Sequence, residues 1–241
     1  MSVTAVIAAA GSGQRLGAGG PKAFVPLAGR PLVEWSLAAF RAAPSVGAVV
    51  IACPPGQVHD LARDGVRVVD GGATRAESVS NALAAVETEL VAIHDAARPL
   101  VTPELIEGVI STLRESPDAA GAILAAPVTD TIKEVAPAPP VGRNAFSSRQ
   151  REKTLRPVER TLERDLLWAA QTPQAFRVAA LREALAAGPE RTASATDEAM
   201  IVEASGGRVL IHPSPPENLK VTTPLDLRLA ELFLGDRAAG E

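Results

Sequence analysis

Short apolar runs rich in Val and Ile alternate with longer amphipathic stretches along most of this chain. The runs at 4–9, 48–52, 66–69, 90–94, 120–125 and 208–212 predict strands, since continuous apolar runs of this length suit strands covered on both faces. Helical spacing predicts helices at 31–42, 74–87, 102–115, 178–187 and 196–204, and a last one at 224–234. Strands that alternate with helices pair in parallel, with helices on both faces of the sheet. The expectation is a three-layer α/β domain, with one sheet and no linker or internal repeat dividing residues 1–241. Such sheets bind ligands beyond the carboxyl ends of their strands, so the loops after the strands are where chemistry is to be sought.

Composition removes several classes. With 241 residues and 46% hydrophobic side chains, the chain can build a full core without staples. One cysteine, Cys53, cannot form an internal disulfide, and no Cys/His cluster offers a zinc site. The longest apolar runs are too short to span a bilayer, and Met1-Ser2 leads into a strand-like run without a signal pattern, so a cytoplasmic protein is expected. A net charge of −4 speaks against general nucleic-acid binding. One stretch breaks the rhythm: 136–157 reads APAPPVGRNAFSSRQREKTLRP, poor in core residues. Composition alone leaves two readings of it, a surface loop and a protruding arm that packs on a second subunit.

Six segments carry candidate chemistry, most of them after an expected strand. After the first strand comes AAAGSGQRLGAGGPKAF, with glycines at 11, 13, 17, 19 and 20 and no acid between residues 10 and 22 to offset Arg15 and Lys22. Inward-facing backbone N–H groups and two uncancelled cations read as a triphosphate cradle; a solvated glycine turn is the alternative. Leu16 breaks the dinucleotide fingerprint, and Lys22, lying between Pro21 and Ala23, breaks the other phosphate loop. Next, Gly71-Gly72 before a helix opened by Thr74 offers backbone groups to the edge of a base, and Ser78 adds a hydroxyl. In HDAARP, Asp95 stands where a carboxylate could hold a divalent metal. Arg98 could grip a phosphate, or pair with Asp95 as a structural ion pair. PVTDTIK brings Thr131 and Lys133, Arg164 precedes QTPQAF, and Lys220 is an isolated cation before the last helix. His94 reads as a hydrogen-bonded strand-end residue outside the chemistry.

Taken in order, AAAGSGQRLGAGGPKAF, DGGATRAESVSNAL, HDAARP, PVTDTIK, Arg164 with QTPQAF, TDEA and NLKVTTPLDL resemble one family, the 2-C-methyl-D-erythritol 4-phosphate cytidylyltransferases of the non-mevalonate isoprenoid pathway. The resemblance spans nearly the whole chain. It implies a Rossmann-like nucleotidyltransferase fold with a mostly parallel sheet and a homodimer joined by the 136–157 arm. It implies CTP and methylerythritol phosphate as substrates, Mg²⁺ as cofactor, and no nucleic-acid or membrane partner. By motif position, Arg15, Lys22 and Lys220 are implied as the catalytic cations. Ala9, Ala10, Gly11, Gly13, Gly72 and Ser78 are implied around the nucleotide, and Asp95 at the metal. Arg98, Thr131 and Arg164 are implied around the alcohol phosphate. Ala73 departs from the pattern, standing where some relatives carry an acid.

Two alternatives come from different directions. A ribitol-5-phosphate cytidylyltransferase would share the scaffold but tends to carry Val at the position of Ala97, so the small residue favours methylerythritol phosphate. A non-catalytic CTP-binding sensor would be expected to have lost Lys22, Asp95 or Lys220, and all three are present.

Overall fold

The computed structural model describes residues 2–11, 16, 20–56, 61, 65–137, 156–186 and 195–240. The chain divides into a larger unit, residues 1–126 and 170–241, and a smaller one, 127–169. The sheet of the larger unit has seven strands, and all six expected from the apolar runs are among them: β1 (Val3–Ala8), β4 (Val46–Cys53), β5 (Val66–Asp70), β6 (Leu90–Asp95), β7 (Gly121–Pro127) and β11 (Val209–Pro213). Pairs β1–β4, β1–β6, β4–β5 and β7–β11 are parallel.

The seventh strand, β10 (Trp168–Arg177), was not among the expected ones, and it runs antiparallel to β6. The strand order is β11-β7-β10-β6-β1-β4-β5. The apolar signal of β10 is broken by Gln171, Thr172, Pro173 and Gln174, yet the three polar side chains are buried. Their hydrogen bonds replace the apolar pattern. Gln171 Oε1 accepts from Ser214 and Asn218, and Gln174 bonds both the side chain of Asp197 and the backbone N–H of Ala199.

Each face of the sheet is closed by helices, as the alternation predicts. On one face, α1 (Leu32–Ala42) and α3 (Pro103–Arg114) set Val33, Leu37, Phe40, Ile106 and Ile110 against Ala5 and Ile7 of β1. On the other, α2 (Arg75–Leu83), α4 (Val178–Ala186) and α5 (Glu198–Ala204) set Val79, Leu83, Leu181 and Ile201 against Val6, Val91 and Ile93. Side chains alternate along a strand, so neighbours such as Val6 and Ile7 serve opposite cores. Each buried side chain of this size contributes about 1.5–3 kcal/mol. A third cluster joins Leu27, Leu32, Leu100 and Val221 to Ala230 of α6 (Pro224–Gly240). Helix starts follow their caps: Thr74 accepts from Glu77 N in a capping box, Thr102 precedes Pro103, and Asp197 accepts from Met200 N.

A short antiparallel hairpin, β2 (Pro26–Leu27) and β3 (Arg30–Pro31), also belongs to the larger unit. The smaller unit is built on a second antiparallel pair, β8 (Lys133–Val135) and β9 (Val158–Thr161), with Lys133 Nζ bonded to Thr161 Oγ1 at 2.7 Å and Glu134 paired with Arg160. Most of the expected arm, residues 138–155, lies outside the described residues. No helix among the described residues is long and apolar enough to cross a membrane.

Candidate active site

Strand register gathers the chemistry. Ala8 of β1 lies level with Ala52 of β4 and Asp95 of β6, and Cys53 with Asp70 of β5. The segments that follow these strands therefore leave the sheet along one edge. They enclose a cavity of about 400 Å³ whose walls include Ala9, Ala10, Gly11, Lys22, Gly72, Ser78, Asp95 and Lys220. Eight of the residues expected at the nucleotide, the metal and the catalytic cations are thus brought together. Gly13 and Arg15 lie outside the described residues. Lys22 is placed by its own backbone, whose N–H donates to Gly11 O at 3.1 Å and closes the glycine-rich loop at its base.

One wall is shaped by backbone contact. Ala9 N donates to Ala52 O, and Gly71 N to Cys53 O at 2.7 Å. A Cβ on Gly71 would stand 2.4 Å from Ala10 Cβ, and one on Gly72 2.3 Å from Glu77 Cβ, so close approach demands glycine at both positions. The Ser78 hydroxyl accepts from Gly72 N at 3.0 Å and donates to Thr74 O at 2.9 Å, which locks the turn. At the departure position, the N–H of Ala73 donates to Glu77 Oε2, the carboxylate oxygen that also accepts from Thr74 N in the capping box.

A second wall is ionic. Asp95, nearly buried, accepts from Arg75 Nε on Oδ1 at 3.0 Å and from Lys220 Nζ on Oδ2 at 2.6 Å. Arg75 Nη1 in turn donates to both carboxylate oxygens of Glu198, which is 1% exposed. Burial alone would raise the pKa of Asp95, but Arg75, Lys220 and Arg98 reverse this and hold it below the usual carboxylate range. Burial works against the charge of Arg75, yet Glu198 and Asp95 raise its pKa above the ordinary guanidinium value.

Sequence left open whether Asp95 and Arg98 pair. They do not: Arg98 Nη1 donates to Asn218 O at 2.7 Å and Nη2 to Ala170 O at 3.3 Å, while its buried Nε has no hydrogen-bond partner. His94, fully buried, bonds Arg98 O through Nε2 and Thr172 Oγ1 through Nδ1, and Thr172 Oγ1 also accepts from Asp95 N. Burial lowers its pKa to about 4, so it is a neutral support rather than a base. A second cavity of about 190 Å³, lined by Arg98, Thr172, Gln174 and Thr196 among others, shares Arg75, Asp95 and Lys220 with the first.

Arg75, Thr172 and Glu198 were not singled out as site residues from sequence. Arg75 and Glu198 lie inside the motifs DGGATR and TDEA, each in the first turn of a helix. The signal for Glu198 was an ionisable residue beside the apolar run Ala199–Val202, where a carboxylate needs a buried partner. Thr131 and Arg164 belong to the smaller unit, where Arg164 Nη1 donates to Thr129 O at 2.9 Å.

A mostly parallel sheet sheathed by helices, a glycine-rich loop after the first strand, and a cation-lined cleft around one carboxylate define a nucleotidyltransferase of the α/β class. Comparison with known proteins makes this specific. The family profile for IspD, 2-C-methyl-D-erythritol 4-phosphate cytidylyltransferase, matches residues 3–236, and the chain belongs to that family. The 2-C-methyl-D-erythritol 4-phosphate cytidylyltransferase of Acidobacterium capsulatum is 36% identical over 255 residues, covering 99% of this chain and 100% of its own. That of Gloeobacter violaceus is 41% identical over 239 residues, covering 95% and 94%. Among solved structures, the enzyme of the same name from Thermus thermophilus superposes with a TM-score of 0.74 at 36% identity, covering 97% of this chain and 98% of that one.

Proposed function

We propose that this chain transfers the cytidylyl group of CTP to 2-C-methyl-D-erythritol 4-phosphate, giving 4-diphosphocytidyl-2-C-methyl-D-erythritol and pyrophosphate. Family membership supports the reaction. The observation that carries it in this chain's geometry is the wall of Arg75, Asp95 and Lys220 common to two cavities. CTP fits the larger cavity, with the base against the Gly71-Gly72 turn and the triphosphate toward Lys22, Arg15 and the glycine-rich loop. The alcohol phosphate fits the smaller one, where the unpartnered Nε of Arg98 offers an unmet donor to an anion. Thr131 and Arg164 are assigned to the alcohol phosphate by motif alone.

The chemistry is an in-line displacement. An oxygen of the phosphate monoester attacks the α-phosphorus of CTP, a new P–O bond forms, and the bond to the β-phosphate breaks, releasing pyrophosphate. A phosphate monoester loses its second proton near pH 6, so at neutral pH the nucleophile is already a dianion and no general base is needed. The task is to hold two anions together and to stabilise charge on the oxygen that leaves, which suits Lys22, Arg15 and Lys220. Among the described residues no group of three or more His, Cys, Asp or Glu could hold a metal. A lone carboxylate fits a hard divalent ion that completes its shell with phosphates and water, so Asp95 would hold Mg²⁺. When bound, the ion supplies charge neutralisation to the polyphosphate.

The chain also acts, in this reading, as a cytoplasmic homodimer joined through the 136–157 segment. The smaller unit presents Val158, Leu166 and Trp168 exposed, an apolar surface suited to a second copy.

The test is pyrophosphate release with CTP and Mg²⁺, running methylerythritol 4-phosphate beside ribitol 5-phosphate. Fast release with the first alone is expected, consistent with the small Ala97 in the cavity wall. Preference for ribitol phosphate would keep the nucleotide site and change the alcohol. Silence with both, in a folded protein that still binds CTP, would favour the sensor.

A further inference from the structure

The reaction just described makes no use of Glu198. Its carboxylate is the most deeply buried charge in the site, 1% exposed and 123 residues from its partner in sequence. The fold holds it firmly. Asp197 caps the helix through Met200 N, and Gln174 of β10 donates to Asp197 Oδ2 at 2.8 Å while accepting from Ala199 N. Glu198 is thereby aimed at Arg75 Nη1, leaving Arg75 Nε on Asp95 Oδ1 and Lys220 on Oδ2. Burial raises the carboxyl pKa of Glu198, and Arg75 opposes that by donating to both oxygens, the pattern that suits the ionised form.

The sum of charges gives this arrangement a purpose. Glu198, Arg75, Asp95 and Lys220 together are neutral. When a substrate phosphate draws Lys220 away, what remains around Asp95 is the triad Glu198, Arg75 and Asp95, with a net charge of −1. Without the charge of Glu198 the remainder would be neutral, because Arg75 would cancel Asp95. We propose that Glu198 is a positioning residue: by neutralising Arg75 it keeps Asp95 negative enough to take a divalent cation once Lys220 turns to the phosphates. The inference rests on the proposed role of Asp95 as the metal ligand. It predicts opposite signs for two ligands at one wall, since removing a negative charge weakens a cation and favours an anion.

The experiment uses Glu198→Gln in the full chain, with Mn²⁺ as the probe. Mn²⁺ binding to the protein–CTP complex is measured by water-proton relaxation in the absence of alcohol phosphate, and the KM for alcohol phosphate is measured separately. The expected result is Mn²⁺ binding weaker by about tenfold or more, as for residues that orient metal ligands from behind. The KM for alcohol phosphate is expected not to rise, and Glu198→Asp, which keeps the charge, is expected to restore most of the Mn²⁺ affinity. Unchanged Mn²⁺ affinity, or a loss of both ligands together, overturns the proposal. If the unsubstituted protein with CTP binds no Mn²⁺ beyond what CTP binds alone, the metal role of Asp95 falls and this inference falls with it. Should Glu198→Gln lose its cooperative melting transition, the double variant Glu198→Gln with Arg75→Gln takes its place, removing both buried charges at once. Asp95 then keeps its own charge, Mn²⁺ affinity near that of the unsubstituted protein is expected, and a large loss there overturns the proposal.

Discussion

The two walls of the larger cavity solve the same problem, holding a polar ligand at a strand edge, by opposite means. The wall made by the Gly71-Gly72 turn and Ser78 carries no charge. Gly71 and Gly72 lie too close to Ala10 and Glu77 for side chains, and the Ser78 hydroxyl spends its hydrogen bonds on the turn itself. The wall around Asp95 is four charges deep, running from buried Glu198 through Arg75 and Asp95 to half-exposed Lys220. In the proposed reaction the first wall recognises by shape, through contacts that a substrate and a transition state share equally. The second can respond to charge that changes during the reaction. Only interactions that strengthen in the transition state accelerate the chemical step, so the ionic wall should govern kcat and the uncharged one KM.

The largest effect expected from that division is at the cations. Lys220→Ala and Lys22→Ala should each lower kcat by roughly 10²-fold or more, as removal of a preorganised electrostatic group does. Steady-state kinetics with both substrates would check it; kcat close to that of the unsubstituted protein would remove either lysine from the charge-stabilising role. Gly71→Ala should act the other way. Its new Cβ, 2.4 Å from Ala10 Cβ and 3.2 Å from Cys53 O, forces two strand ends apart. Overpacking of this kind costs about 1–3 kcal/mol of stability. The KM for CTP should rise more than kcat falls, and a variant that lost kcat alone would erase the distinction between the walls.

How much of this could be read before the structure was known depends on how local each signal is. The spacing of apolar residues predicts six strands and six helices: burial on both faces writes a continuous run into central strands such as β1 and β6, and the half-buried edge strands β5 and β11 keep short Val and Ile runs. The strand at 168–177 escaped because its inward side chains are polar and satisfied by partners such as Ser214, Asn218 and Asp197, which no periodicity records. Helix 74–87 was drawn too long. Its periodic run continues to Val86, but the helix ends at Leu83, and Val86 N instead closes a tight turn on Leu83 O. In the site, Asp95 and the Gly71-Gly72 turn were visible because each stands at the carboxyl end of a strand, and Lys220 because it is an isolated cation before the last helix. Arg75 and Glu198 were not, since their meaning lies in pairings 20 and 123 residues apart. The family resemblance supplied order and identity for the motifs, but not the charge chain that links four of them.

The smallest effect tests what holds Lys220 in place. The turn after it is tied by Asp226, whose Oδ2 accepts from Thr222 N, Thr223 N and Thr222 Oγ1. The slight burial of Asp226 would raise its pKa, but these hydrogen bonds lower it to about 2 from an ordinary value of 3.8. Because the folded pKa lies below the unfolded one, the stability from this carboxylate is complete above 3.8 and is lost as pH falls toward about 2. The group is only partly buried, so its worth is that of a helix cap, about 1 kcal/mol. Denaturant titrations of the unsubstituted protein and of Asp226→Asn should therefore differ by about that amount at pH 6, narrow as pH falls toward about 2 and converge below it. A difference that stayed constant down to pH 2 would mean that the ionised carboxylate is not what fastens the turn. Lys220, and with it the outer end of the ionic wall, would then owe its place to Val221, whose N–H donates to Ala97 O at 2.8 Å and whose side chain is fully buried.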